Sequence, residues 1–280
     1  MNAPATPKSP ADYVLGVDDA ELERLGFQHQ LWADLAHRSW QAARIAPGQT
    51  VLDLGCGPGH ATLDLAGLVR PQGKVLAVDQ AAHYVEYLRA RIEANRIGHI
   101  QTFCAPADKL DELDIEPGSV DLIYVRWMLC FANTPGRIIE QCASLLVPGG
   151  RLCVNDYFNY RSMTLAPRRA GFTRGIEAVA KSWIDQGGDS DIVGRLPGMA
   201  HASGLTVTHV EVDQRVARPG QTMWNWADSF WPNFIPRLVE SGHLTQDQAT
   251  EFMDDWHAAS NDISSFMHLP PMYMLIAQRD

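Results

Sequence analysis

Val51 to His60, reading VLDLGCGPGH, constrain the fold of this chain more than any other stretch. Thr50 to Leu54 is a short apolar run that predicts a buried strand. Gly55, Gly57 and Gly59 follow directly, and Ala61 to Leu68 predicts a helix. Glycines at such a junction let the main chain turn tightly and let a ligand approach backbone atoms closely. The first turn of the following helix offers N–H groups that lack partners. Asp53 lies within the strand, and Asp79 closes the next predicted strand, Lys74 to Asp79, twenty residues past Gly59. A carboxylate placed there can accept both hydroxyls of a ribose. The glycines are spaced G-x-G-x-G with Pro58 before the last, whereas a dinucleotide loop is spaced G-x-G-x-x-G.

The alternation continues beyond this unit. Ala81 to Asn95 reads as helix, Ile100 to Cys104 as strand, and Val120 to Val125 as a strand ending at Arg126. Pro135 to Leu146 reads as a helix with proline in its first turn. Pro148-Gly149-Gly150 then turns into a strand from Arg151 to about Asp156. Such alternation predicts a mostly parallel sheet covered by helices. Upstream, Asp18 to about Arg44 reads as one helix, with Asp18 and Glu21 spaced as a capping box. After Tyr157 the pattern changes to helix over 163–187, helix over Ile192 to Ser203 and strand over Leu205 to Gln214. Residues 220–264 read as helical, with Thr245 and Gln248 as a second capping box, and Met272 to Ala277 as a final strand. Trp224, Trp226, Trp231 and Trp256 all fall in that last helical stretch, either as its core or as a stacking surface for substrate.

The glycine loop resembles motif I of the class I S-adenosylmethionine-dependent methyltransferases, and the resemblance runs in order over about residues 45–156. In VLAVDQ, Asp79 resembles the family's ribose-binding acid, with Gln80 beside it. Ala107-Asp108 in FCAPADKL resembles its adenine contact after the third strand. VDLIYVRWML resembles its fourth-strand motif, and LLVPGGRLCV its proline-glycine turn into strand five. The resemblance implies an α/β, Rossmann-like, seven-stranded, mostly parallel sheet with helices on both faces, an antiparallel seventh strand and a helical cap. It implies S-adenosylmethionine as donor and S-adenosylhomocysteine as product. Gly55, Cys56, Gly57, Gly59, Asp79, Gln80, Ala107 and Asp108 would hold the donor, and main-chain carbonyls of Gly55 and Arg126 its methionine ammonium. Asp53 either orients the loop or touches the donor directly. The N-terminal YVLG…ELERLGFQHQ resembles the leader of small-molecule enzymes of the ubiquinone- and menaquinone-biosynthesis-like group. That implies that Tyr13 and Gln28 close over the donor.

Composition narrows the partners. The chain has 280 residues, 46% hydrophobic and 20% charged, enough for a sizeable core. Lys plus Arg is 23 against 33 Asp plus Glu, a formal charge of −10. An acidic chain without a Lys/Arg run disfavours nucleic acid and anionic membrane surfaces as partners. No apolar run approaches the roughly eighteen residues of a membrane span. The start, MNAPATPKSP, lacks the apolar centre of a signal peptide, so residues 1–17 read as a flexible tail. The five cysteines are odd in number, form no CxxC and sit mostly in apolar runs, which predicts buried, reduced thiols in a cytoplasmic protein. Residues 18–280 read as a single domain with cap inserts at about 160–190 and 219–266, acting as a monomer or homodimer.

The remaining candidates concern the acceptor. Strand four ends in Val125-Arg126-Trp127 without an acid, so no metal is expected despite Asn155 and Asp156. The histidines show no zinc-binding spacing. Tyr157 and Arg126 follow two strand ends, where ligands of open parallel sheets lie, and are the candidate catalytic residues. Trp127 and Tyr157 are the candidate acceptor-binding residues. Tyr157 reads equally as packing, and Arg126 as a structural ion-pair residue. Tyr160, His83 and His60 are weaker candidates, and Asp254 and Asp255 read as a solvated helix face. The expected activity is methyl transfer to an oxygen, nitrogen or carbon of a small secondary or cofactor metabolite. The alternatives are a non-methylating enzyme using the same fold, of decarboxylase or pericyclase type, and a non-enzymatic partner protein.

Overall fold

A computed structural model describes residues 19–280; Tyr13, Asp18 and the 1–17 segment lie outside the described residues. The first elements are α1 (Asp19–Leu31), α2 (Ala33–Ala42), β1 (Thr50–Leu54), α3 (His60–Val69), β2 (Lys74–Asp79), α4 (Ala82–Ala94) and β3 (Ile100–Cys104). Next come β4 (Val120–Arg126), α5 (Pro135–Leu145), β5 (Leu146–Tyr157), β6 (Thr164–Ala166), α6 (Ala170–Asp185), α7 (Leu196–Ala202) and β7 (Leu205–Asp213). The chain ends with β8 (Val216–Ala217), α8 (Thr222–Asp228), α9 (Trp231–Glu240), α10 (Gln246–Ser260), β9 (Phe266–His268) and β10 (Met272–Arg279).

Seven strands form one sheet in the order β3-β2-β1-β4-β5-β10-β7. The first five are parallel, and β10 runs antiparallel to both β5 and β7. The central strands read as continuous apolar runs because both their faces are covered. Val51, Val75, Leu122 and Cys153 face Trp40 of α2 and Leu65 and Val69 of α3. Their neighbours Leu52, Leu76, Ile123 and Leu152 face the other way, onto Ile138, Ile139 and Cys142 of α5. This two-residue period assigns each strand residue to one layer. At the edge, β7 alternates in burial instead.

Four local readings are corrected. The first helix breaks at Trp32, which is buried with its ring edge-on to Trp127 and Trp226 at 5.8 and 5.7 Å. Residues 163–187 begin as β6, and the helix starts only at Ala170, beyond Pro167. With β8 and β9, β6 forms a second, three-stranded antiparallel sheet. Residues 220–264 divide into three helices: Pro232 opens α9, and Gly242 turns out of it with a φ of 74°. Cys104 is exposed, while Cys56, Cys130, Cys142 and Cys153 are buried. The Thr245 capping box is formed: its hydroxyl accepts the Gln248 N–H at 3.2 Å, and the Gln248 carbonyl accepts the Thr245 N–H at 2.9 Å. Among the described residues no helix is long and apolar enough to cross a membrane.

Asp255 is not a solvated side chain. Its carboxylate accepts the Phe172 N–H at 3.1 Å, satisfying an orphan donor in the first turn of α6. Gly175 of α6 lies so close to Phe252 of α10 that a Cβ there would collide with the ring. Arg174 and Glu251 form an ion pair across the same seam. Phe172, Phe252, Trp224 and Trp256 stack behind it, with Trp224 and Trp256 centroids 4.6 Å apart.

Candidate active site

A cavity of about 520 Å³ lies beyond the carboxyl ends of β1, β2, β4 and β5. This is where the strand order reverses and where open α/β sheets bind ligands. Leu54 pairs with Val78 on one side and Val125 on the other, so Gly55, Asp79 and Arg126 are the next residue on three adjacent strands. The predicted site residues therefore converge on one rim.

The glycine loop doubles back over β2. The N–H groups of Gly55 and Cys56 both donate to the Val78 carbonyl, at 2.8 and 3.1 Å. Gly55, with a φ of 73°, packs beneath Met128, and a Cβ there would lie 2.7 Å from the Met128 side chain. Asp79 is buried, and its two oxygens accept one main-chain N–H each, from Gly57 and Ala81, both at 2.8 Å. Each oxygen keeps a second lone pair. Burial raises its pKa, opposed by those N–H groups. Asp53 is buried beneath the loop and accepts the Thr62 hydroxyl at 2.6 Å. Burial pushes its carboxyl up to about 6; the Thr62 bond and Arg126 pull the other way, and Asp79 adds to the rise.

Asp53, Gly55, Cys56, Gly57, Asp79, Gln80, Ala107 and Asp108 all line the cavity. Asp108 is pinned from α5: its carboxylate accepts the Thr134 hydroxyl at 3.2 Å, and its carbonyl accepts Arg137 Nε at 2.9 Å. Gly59 departs from the pattern and is not among the lining residues. It caps α3 with a φ of 81°, and a Cβ there would collide with Leu88. Its role is to let α3 pack against α4. Gln28 lines the cavity from α1, and its carbonyl accepts both Trp226 Nε1 at 2.9 Å and Arg24 Nη1 at 3.0 Å.

Arg126 enters a network that sequence reasoning missed. Its Nη2 donates to His29 Nδ1 at 2.9 Å, and His29 Nε2 reaches Asp64 Oδ2 at 3.0 Å. An arginine only donates, so His29 Nδ1 is the acceptor and Nε2 carries the proton given to Asp64. His60 stacks on His29 with centroids 5.6 Å apart and accepts Arg91 Nη1 at 3.3 Å. Burial, helped by Arg91 and His29, pushes the His60 pKa down to about 4, so it is neutral at pH 7. No spacing links α1, α3 and the end of β4, so this cluster had no signal in the sequence. His83 is exposed and away from the cavity.

The other half of the cavity is aromatic. Tyr157 and Tyr160 pack edge-on at 5.1 Å, and Tyr160 lies 4.8 Å from Trp183. Trp127 sits at a φ of 50°, donates Nε1 to Met272 Sδ at 2.9 Å and carries the Arg126 guanidinium 5.0 Å above its ring. The four tryptophans of the last helical stretch divide: Trp226 and Trp231 line the cavity, whereas Trp224 and Trp256 are interior. Burial holds the Tyr157 phenol well above its ordinary pKa. Neither tyrosine hydroxyl bonds to a described residue. Asn155 and Asp156 are structural. Asn155 links the Tyr124 hydroxyl to Ser39, and Asp156 accepts the N–H groups of Cys130 and Tyr157.

A methyltransferase domain model matches residues 51–150. The chain is 26% identical over 212 residues to methyltransferase str3 of Strobilurus tenacellus, covering 74% of this chain and 73% of that protein. A putative methyltransferase of Bacillus halodurans superposes with a TM-score of 0.61 at 16% identity, over 88% of this chain and 99% of the other. A geranyl diphosphate C-methyltransferase of Streptomyces coelicolor, solved with Mg2+, geranyl diphosphate and S-adenosylhomocysteine, superposes at 0.55 with 14% identity, over 93% and 84% of the two chains. Matched domain, named relatives and shared fold agree with the loop and its acid: residues 51–150 carry a methyltransferase domain, and the chain has the fold of the S-adenosylmethionine-dependent methyltransferases.

Proposed function

We propose that this methyltransferase acts on a small, largely apolar acceptor with an oxygen substituent. The observation that carries this reading is one continuous cavity with two chemically different halves. Along the rim of β1, β2 and β4 it offers the glycine-loop backbone and the Asp79 and Asp53 carboxylates. Beyond β5 it offers Trp127, Tyr157, Tyr160, Trp183 and Trp226.

The residues of the first half suit S-adenosylmethionine. Gly55 lets the loop pack directly beneath Met128, and Asp79 keeps lone pairs for a ribose. Ala107 and Asp108 border the adenine side, and Gln28 closes from α1. Bound there, S-adenosylmethionine supplies an electrophilic methyl group on a sulfonium.

In the second half, aromatic walls hold a flat or branched apolar body and exclude water. Tyr157 and Tyr160 present hydroxyls with no partner among the described residues, so both can donate to an acceptor oxygen. The raised pKa of Tyr157 keeps its proton in place at neutral pH, which suits orientation of the nucleophile better than its deprotonation. Catalysis then rests on proximity and exclusion of water.

The test is incubation with S-adenosylmethionine and a panel of phenols, enols and carboxylic acids with aromatic or isoprenoid bodies. Mass spectrometry should find S-adenosylhomocysteine and a methylated acceptor. Turnover only of peptides or nucleic acids would overturn the acceptor class. Conversion of an acceptor with the donor left intact would overturn methyl transfer itself.

A further inference from the structure

We propose that the acceptor is bound and methylated as an oxyanion that is already ionised in water at neutral pH, with Arg24 as its counter-charge. A carboxylic acid and an acidic enol share that chemistry. The proposal rests on the reading of the aromatic half as the acceptor site and narrows the acceptor within it.

Charge comes first. Arg24 of α1 is buried and lines the cavity. Its Nε and Nη2 donate to the two oxygens of Glu21, one turn earlier, at 2.7 and 2.6 Å, and its Nη1 donates to the Gln28 carbonyl at 3.0 Å. Glu21 is buried too, so this grip fixes the guanidinium in place. A guanidinium has five N–H bonds. Three are used, which leaves one on each terminal nitrogen for an oxyanion. The guanidinium lies 5.9 Å above the ring of Phe230, another lining residue. Burial raises the Tyr157 phenol, and Arg24 is near enough for its charge to oppose that rise.

Donors come second. Trp183 and Trp231 line the same half, and the indole N–H of each is buried without a partner among the described residues. Tyr157 and Tyr160 add their two hydroxyls. Buried donors are almost always paired in native structures. The carboxylates among the lining residues, Asp53, Asp79 and Asp108, all belong to the donor half. The acceptor half therefore presents a cation and several donors, a set that suits oxygens with lone pairs and no proton and disfavours an ammonium.

Proton balance comes third. A neutral phenol or alcohol must lose its proton as the methyl group arrives, and a base must take it. His29 and His60 line the cavity, but neither has a lone pair to spare. His29 accepts Arg126 at Nδ1 and gives its Nε2 proton to Asp64, and His60 accepts Arg91 at Nδ1. Burial keeps both tyrosines protonated. An oxyanion needs no base. Its oxygen attacks the methyl carbon, the O–C bond forms, the C–S bond breaks with its electron pair left on sulfur, and the negative and positive charges cancel.

The experiment is calorimetry on the full chain with S-adenosylhomocysteine present, using four bicyclic probes. 2-Naphthoate and 4-hydroxycoumarin are ionised at pH 7, whereas 2-naphthol and 2-naphthylamine are neutral. Charge-assisted bonds predict that the anions bind roughly tenfold or more tighter than the neutral pair. Tight binding of one anion alone supports the proposal and tells a carboxylate from an acidic enol. Neutral probes that bind as well as both anions overturn it and leave the acceptor site standing. Binding of none of the four overturns the acceptor-site reading and the proposal with it. Arg24→Met should cost the anions roughly tenfold and leave 2-naphthol unchanged, and Arg24→Lys should restore part of the loss. Equal losses for all four probes would make Arg24 merely structural and overturn its role; the comparison on the unaltered chain needs no variant to fold. Where 2-naphthol is methylated, its rate at saturating donor should rise roughly tenfold per pH unit between pH 7 and 9, following its own ionisation. A plateau in that range would reveal a base on the protein and overturn the proposal.

Discussion

The two halves of the cavity are built by different means. The proposed donor half comes mostly from residues 53–108, with Gln28 from α1 and Arg126 from the end of β4, and it is built of loop backbone and carboxylates placed by strand ends. The acceptor half is gathered from β4, β5, α6, α8 and α9, and its contacts are ring faces and phenol hydroxyls. Backbone geometry leaves little freedom, so the first half suits one ligand. Side-chain walls change by single substitutions without disturbing the sheet, so the second half is where related chains can differ.

The sharpest way to break the contrast is in the loop. Gly59→Val places a branched side chain at a φ of 81° and against Leu88. Left-handed strain and overpacking together should remove about 3 kcal/mol or more of stability, measured by urea unfolding. A substitution tolerated there would mean that the loop is not the rigid half. Next in size, Asp79→Ala removes the acceptor of two main-chain N–H groups and the carboxylate proposed to hold the ribose. Affinity for S-adenosylmethionine should fall roughly ten- to a hundredfold by calorimetry, while acceptor binding followed by tryptophan fluorescence stays within error.

Smaller effects are expected in the acceptor half. Tyr157→Phe should lower kcat by about fivefold, the loss of one ordinary hydrogen bond, with unchanged donor affinity. A drop in donor affinity of equal size would merge the two halves. The smallest effect is a pH dependence. The folded pKa of Asp53, about 6, exceeds its ordinary 3.8, so its ionised form burdens the folded state above pH 6, and that burden disappears as the pH falls towards 4. On the reading in which Asp53 touches the donor, the same protonation removes the negative charge beside it. Donor affinity should therefore weaken severalfold as pH drops through about 6, at most tenfold per pH unit, and Asp53→Asn should flatten the profile. An unchanged slope in Asp53→Asn would assign the titration elsewhere; Asp156 also titrates near 6 but does not line the cavity.

What was legible in the sequence follows the same division. β1 and β2 were bounded correctly because buried parallel strands need apolar runs, which here stop at Gly55 and Asp79. β6, β8 and β9 have two or three residues each, too few to show a period, and their pairing joins segments about fifty residues or more apart. Asp79 and Asp108 were legible because strand ends are marked locally. Asp64 and His29 were not, because an acid on α3 and a histidine on α1 have meaning only once the fold brings them to Arg126. Gly59 misled for a related reason: a glycine in a ligand loop and a glycine under a helix look alike until their neighbours are known. Asp255 read as solvent-facing because capping another helix leaves no trace in its own.

That capping contact ties two insertions into one piece. α6 follows β5 and α10 precedes β10, yet Asp255, Glu251 and Phe252 on one meet Phe172, Arg174 and Gly175 on the other. Any helix grafted into one position from another member of the family must bring a gap for Phe252 and a donor for Asp255. Changes of acceptor range by recombination should therefore travel in pairs, with the segments before and after β7 inherited from the same parent.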